Sequence, residues 1–156
     1  METFKERISD FSDESRVWFY QSNRAMTERE INDIGNSIRE YTEDWDSHGN
    51  TLIATAQVLN PFIVMIVVDQ TKVGLCGGSV DKKTRFIKEL GQKHGIDFFN
   101  RMNVTIQEDN EMKQIHFSEL SNHPNAKVFD SLITNLGEFR QSWPKKIEDS
   151  HYAHLV

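Results

Sequence analysis

Gly77-Gly78-Ser79-Val80-Asp81-Lys82-Lys83-Thr84 fits the phosphate-loop pattern G-x-x-x-x-G-K-S/T at every position except Lys82. In such a loop glycines let backbone amides wrap the phosphates, a lysine reaches the terminal ones and a Ser/Thr holds magnesium. Lys83 and Thr84 stand at the last two places, and Phe62 to Val68 followed by Asp69 resembles the acid-tipped strand that accompanies the loop. Lys82 replaces the glycine at which the backbone must approach the ligand. Phosphate-loop strands are parallel, and a parallel connection needs about a dozen residues or more. The segment between Asp69 and Gly77 is too short for that crossover. Nucleotide hydrolysis by a phosphate loop is therefore not expected.

Three other chemistries are open to the same segment. Helix N-termini favour acids, because the macrodipole puts partial positive charge there, yet Asp81 is followed by Lys82, Lys83 and Arg85. An anion held by the amides and side chains of Gly77, Gly78, Ser79, Lys82, Lys83 and Arg85 would explain these cations. The plainer account is that they are exposed and pair with Asp81 or Glu89. The single cysteine, Cys76, beside two glycines could serve as a nucleophile with His48 as base and Asp81 or Asp69 orienting it. No local cysteine-enzyme signature surrounds it, and a lone cysteine on a strand is usually a small buried hydrophobe. Ser79 lacks the second glycine of a G-x-S-x-G elbow. For metal, His151 and His154 share i, i+3 spacing and His123 is a further nitrogen, but there is no H-E-x-x-H and one cysteine cannot build a thiolate cluster. The tail histidines read as frayed; neither metal nor cofactor is called for.

The elements that must position these residues are well marked. Arg16 to Gln21 is aromatic and β-branched, as strands are. Thr27-Glu28-Arg29-Glu30 is a capping box with Met26 and Ile31 placed as a hydrophobic staple, and Ile31, Ile34, Ile38, Tyr41 and Trp45 form a helical stripe. Gly49 is suited to close that helix. Leu52 to Leu59 and Phe62 to Val68 flank the turn Asn60-Pro61; the second run is apolar throughout, as expected of a central strand covered on both faces. A turn at Asp69 to Lys72 leads to a third strand over Val73 to Ser79, giving a meander. Asp81 is placed to cap a second helix ending at His94-Gly95. Val104 to Gln107 and Met112 to Phe117 flank a hairpin turn at Asp109-Asn110. Ser118 to Leu120 begins a short helical turn, a helical stretch runs from Leu132 to Trp143 and stops at Pro144, and His151 to Val156 is a surface strap.

Composition narrows the class of protein. With 156 residues, 37% of them apolar and 27% charged, 3 Pro and 8 Gly, the chain suits one ordinary globular domain spanning residues 1–156. One cysteine and a polar N-terminus point to a reducing cytoplasm. The longest apolar run is far below the roughly 20 residues of a membrane span. A formal charge of -6 without a Lys/Arg cluster interleaved with aromatics argues against nucleic acid as a partner. A small anion, a protein partner or a homo-oligomer remains open.

Trp18-Phe19-Tyr20-Gln21-Ser22-Asn23-Arg24, Trp45-x-Ser47-His48-Gly49, Val68-Asp69, Ser79-Val80-Asp81, Phe86-Ile87-Lys88, Phe98-Phe99-x-Arg101 and Val128-Phe129-x-x-Leu132 together resemble an uncharacterised bacterial family often labelled "ABC transporter ATPase". The resemblance implies no defined activity. In that family's pattern the loop reads Ser-Gly-Cys-Ser-Ile-Asp, with serine at position 76 and cysteine at 78, whereas this chain has Cys76 and Gly78. The fold expected is α+β: a mainly antiparallel sheet, meander plus hairpin, packed with two to three helices. The function expected is that of a non-enzymatic binding or regulatory domain; a small hydrolase-like enzyme using Cys76, His48 and Asp81 is the alternative.

Overall fold

The structure is a computed structural model and describes residues 2–156. After a short helix α1 (Phe4–Arg7), strand β1 (Arg16–Gln21) leads to helix α2 (Glu28–Asp44). The capping box forms in full. The Thr27 hydroxyl accepts from the Glu30 amide, and the Glu30 carboxylate accepts from the Thr27 amide. Arg24 fixes the same carboxylate and also donates to the His94 carbonyl, tying the start of α2 to the end of the next long helix.

Next come a two-residue hairpin, β2 (Asp46–Ser47) and β3 (Asn50–Thr51), then β4 (Ala54–Asn60), β5 (Ile63–Val68) and helix α3 (Gly77–His94). Strand β5 is fully buried and central in a sheet of order β1-β5-β4, antiparallel at both junctions. Its alternate residues serve two cores. Val64, Ile66 and Val68 face α2 and α3, while Met65 and Val67 face α1 and α4 (Leu136–Gln141). A second sheet has the order β7-β6-β8-β9, from β6 (Asn103–Glu108), β7 (Glu111–His116), β8 (Lys127–Val128) and β9 (Lys145–Lys146). Asp109 and Asn110 take φ of 53° and 63° in the β6–β7 turn, as a two-residue type I′ hairpin requires.

The α+β class, the central Phe62-to-Val68 strand and both hairpin turns agree with the sequence reading. Four details differ. The partner of β5 is β1 rather than Val73 to Ser79, because the Asp69 carboxylate accepts from the Thr71 amide and the Ser12 amide and fixes a turn that leads the chain off the sheet. Helix α3 begins at Gly77, with Cys76 at the cap, so Asp81 lies inside the helix and caps nothing. Gly49 does not close α2, which ends at Asp44; with His48 it turns the β2–β3 hairpin, φ 82° and 51°. The helix expected over Leu132 to Trp143 is confined to Leu136–Gln141, where Asn135 caps it through the Glu138 amide.

Among the described residues, no helix is long and apolar enough to cross a membrane.

Candidate functional site

Lys83 is only 1% exposed, although its neighbours Lys82 and Arg85 are exposed. Ser79, Lys83, Ile87 and Leu90 are successive buried positions on one face of α3, at helical spacings of 4, 4 and 3. The side chain is thus carried inward against β1, where Trp18 and Tyr20 point to the same face by strand alternation. Its Nζ donates to the Tyr20 hydroxyl at 2.5 Å and lies 4.0 Å from the centroid of the Trp18 ring. The Arg16 guanidinium lies 4.9 Å from that same ring.

A buried ammonium is normally matched by a carboxylate. Lys83 makes no ion pair among the described residues. Burial, with the Arg16 charge adding to it, pushes its amine down to about 7. The Trp18 face offsets part of the lost hydration, and the Tyr20 hydroxyl takes one of three donors, leaving the rest of the ammonium's hydrogen-bonding capacity free. Burial also holds the Tyr20 phenol well above its ordinary pKa, so it stays protonated.

Lys83 stands in the wall of a cavity of about 460 Å³. Among the described residues its charged walls are Arg16, Lys83 and Arg101, with no Asp or Glu. Trp18, Tyr20, Phe98, Phe99 and Tyr152 give it an aromatic lining, and Gln21, Asn100 and Asn103 supply amides. An enclosure that is cationic, aromatic and free of acids suits a small organic anion.

The expected anion site therefore divides. Gly77, Gly78, Lys82 and Arg85 are exposed at the start of α3. Ser79 is 4% exposed, its hydroxyl donated to the Asp46 carbonyl at 2.7 Å, and Lys83 lies on the same buried face, away from Lys82 and Arg85. The phosphate-loop likeness dissolves for the same reason: its lysine points into the fold. The acid resembling a magnesium ligand, Asp69, is completely buried and occupied by turn amides and by the Thr71 hydroxyl. Burial works upward on its carboxyl, but those hydrogen bonds and Lys72 outweigh it and hold it below the usual range.

Of the cysteine group, His48 acts on Cys76 only weakly through its charge, with no hydrogen bond between them among the described residues, and Asp81 does not join them. The Sγ of Cys76 lies 3.1 Å from the Ser79 Oγ. The Ser47 and Ser79 hydroxyls and the Ser79 amide, with a smaller effect from His48, draw the thiol down to about 7. For its hydroxyl to support a thiolate, Ser79 must turn its proton from the Asp46 carbonyl to the sulfur. Asp81 is exposed and makes no hydrogen bond or ion pair among the described side chains. Of the tail histidines, His151 is not frayed, its Nδ1 lying 2.8 Å from the fully buried Asp130, whereas His154 is exposed; outside the tail, His123 Nδ1 is 2.9 Å from Glu108. Tyr152 is buried, so the tail is a packed strap rather than a loose one.

Sequence reasoning missed the Lys83 pocket, although one signal was present. Lys83 stands four residues before Ile87 on the apolar stripe, and Lys82 and Arg85 do not.

No protein-family model, curated protein or solved structure matches this chain.

Proposed function

We propose that this chain is a binding domain for a small organic anion with a flat apolar body, seated in the Lys83 cavity. The observation that carries the reading is a buried lysine without a carboxylate partner among the described residues, in a wall that also holds Arg16 and Arg101 and, among those residues, no acid. A ligand's negative charge would supply the counter-ion that the fold omits, and its ring would lie against Trp18 and Tyr20. As a regulatory or carrier domain of a reducing compartment it would need no further machinery.

Benzoate, phenyl phosphate and inorganic phosphate are suitable probes, followed by calorimetry and thermal unfolding at pH 7. The expected result is saturable stabilisation by at least one aromatic anion, weakened ten-fold or more by Lys83→Met and unchanged by Lys82→Ala. Equal losses in the two variants would return the site to the helix start, and no saturable effect from any probe would remove the cavity reading.

A hydrolase-like use of Cys76 with His48 is the second reading, favoured by the Sγ to Ser79 Oγ contact and by the lowered thiol. Its test is alkylation by iodoacetamide across pH 6 to 9. A reactive thiolate gives a rate that rises through about pH 7 and shifts to higher pH in Ser79→Ala; a rate profile like that of a free thiol, near 8.5, rejects it.

A further inference from the structure

Lys83 has the environment of an amine that reacts as well as binds. An imine-forming lysine needs a free lone pair near neutral pH, which desolvation and a neighbouring cation provide and a carboxylate partner would prevent. It also needs a carbonyl group brought to it in a fixed pose, and a proton donor to help expel water. Each part is on one wall of the cavity. The amine is buried with no acid beside it among the described residues, the Arg16 guanidinium shares the Trp18 ring with it, and the Tyr20 hydroxyl is 2.5 Å from Nζ.

We infer that Lys83 captures a 2-oxo acid with an apolar or aromatic body as a reversible imine, the carboxylate resting on Arg16 and Arg101 and the keto carbon facing Nζ. The step balances without an oxidant or reductant. The nitrogen lone pair attacks the keto carbon and forms the C–N bond, and a nitrogen proton passes to the former carbonyl oxygen. The Tyr20 hydroxyl protonates that oxygen as the C–O bond breaks. Loss of the remaining nitrogen proton restores the phenol, so one carbonyl compound and one amine give one imine and one water. Protonation of the imine would leave a cation in the same place as the lysine ammonium, over the Trp18 face that already accommodates one.

The inference rests on the anion-binding reading of the cavity, and the two are separable by experiment. The full chain is incubated with phenylpyruvate or pyruvate and sodium cyanoborohydride at pH 7, digested, and mapped by mass spectrometry. The expected product is one reduced adduct per chain, on Lys83, with benzoate slowing its formation. Lys83→Arg keeps the cation but cannot form the adduct, and Lys83→Met serves if the guanidinium does not fit; circular dichroism verifies that either variant is folded. Benzoate binding without a Lys83 adduct from either oxo acid overturns the imine and leaves the anion site standing. Neither binding nor adduct overturns both. Adducts spread evenly over surface lysines also overturn it, since they show no special reactivity at position 83.

Discussion

Lys83 occupies a position on α3 that an apolar side chain would fill at lower cost. Its amine is pushed down to about 7 from the usual 10.5, so between those values the unfolded chain holds a proton that the folded chain has released. Stability contributed through this group therefore rises with pH across that window. Below about pH 7 the amine is protonated in both states, and the full penalty of burying it remains. Lys83→Met, which keeps the stem and deletes the charge, is expected to raise stability at pH 7 by about 1 kcal/mol or more, and to flatten the rise between pH 7 and pH 9. Urea unfolding of both proteins at the two pH values measures this. A variant that is less stable at pH 7, with the slope unchanged, would mean that the lysine is a net structural contributor.

At the scale of elements, the sequence was legible where the determinants are local. The Thr27 capping box, the 3- and 4-residue steps of α2, the left-handed Gly95 that ends α3 and the Asp109-Asn110 turn each depend on residues within one turn of each other. Strand partners do not. β1 reaches β5 across α2 and β4, and no pattern within either strand names its neighbour; adjacency in the chain favoured Val73 to Ser79 instead. That choice fails at the expected turn itself, where the Asp69 carboxylate accepts from the Ser12 and Thr71 amides and leads the chain away from the sheet. The glycines at 77 and 78 misled in a related way. They fall at the end of the strand expected over Val73 to Ser79, yet they are the first residues of α3, whose start is held by Trp45 Nε1 donating to the Ser79 carbonyl at 3.0 Å. Little of the candidate site was legible, since only the face periodicity of α3 distinguishes Lys83 from the two cations beside it. Strands of two residues, such as β8 and β9, carry too little pattern to be seen at all.

On the scale of the whole molecule, the two sheets are joined through Gln21. Its backbone pairs with Ile63 in the first sheet, while its side chain donates to the Asn103 carbonyl and accepts from the Thr105 amide and hydroxyl in the second. Gln21→Leu would leave the Thr105 amide and the Asn103 carbonyl without this partner, the Thr105 hydroxyl keeping Gln114 Nε2 at 3.4 Å, so a loss of about 1–3 kcal/mol is expected. Hydrogen exchange should show β6 and β7 amides opening more readily than those of β5. Uniform loosening across both sheets, or a change under 0.5 kcal/mol, would mean that the junction is held by packing alone. The Lys83 cavity draws its walls from the same junction, from Arg16 on β1 through Lys83 on α3 to Tyr152 in the strap. Domains acquire structure as they emerge from the ribosome, so the wall at Tyr152 is made after the wall at Arg16, and a nascent chain halted before Tyr152 would present the lysine in an unfinished chamber.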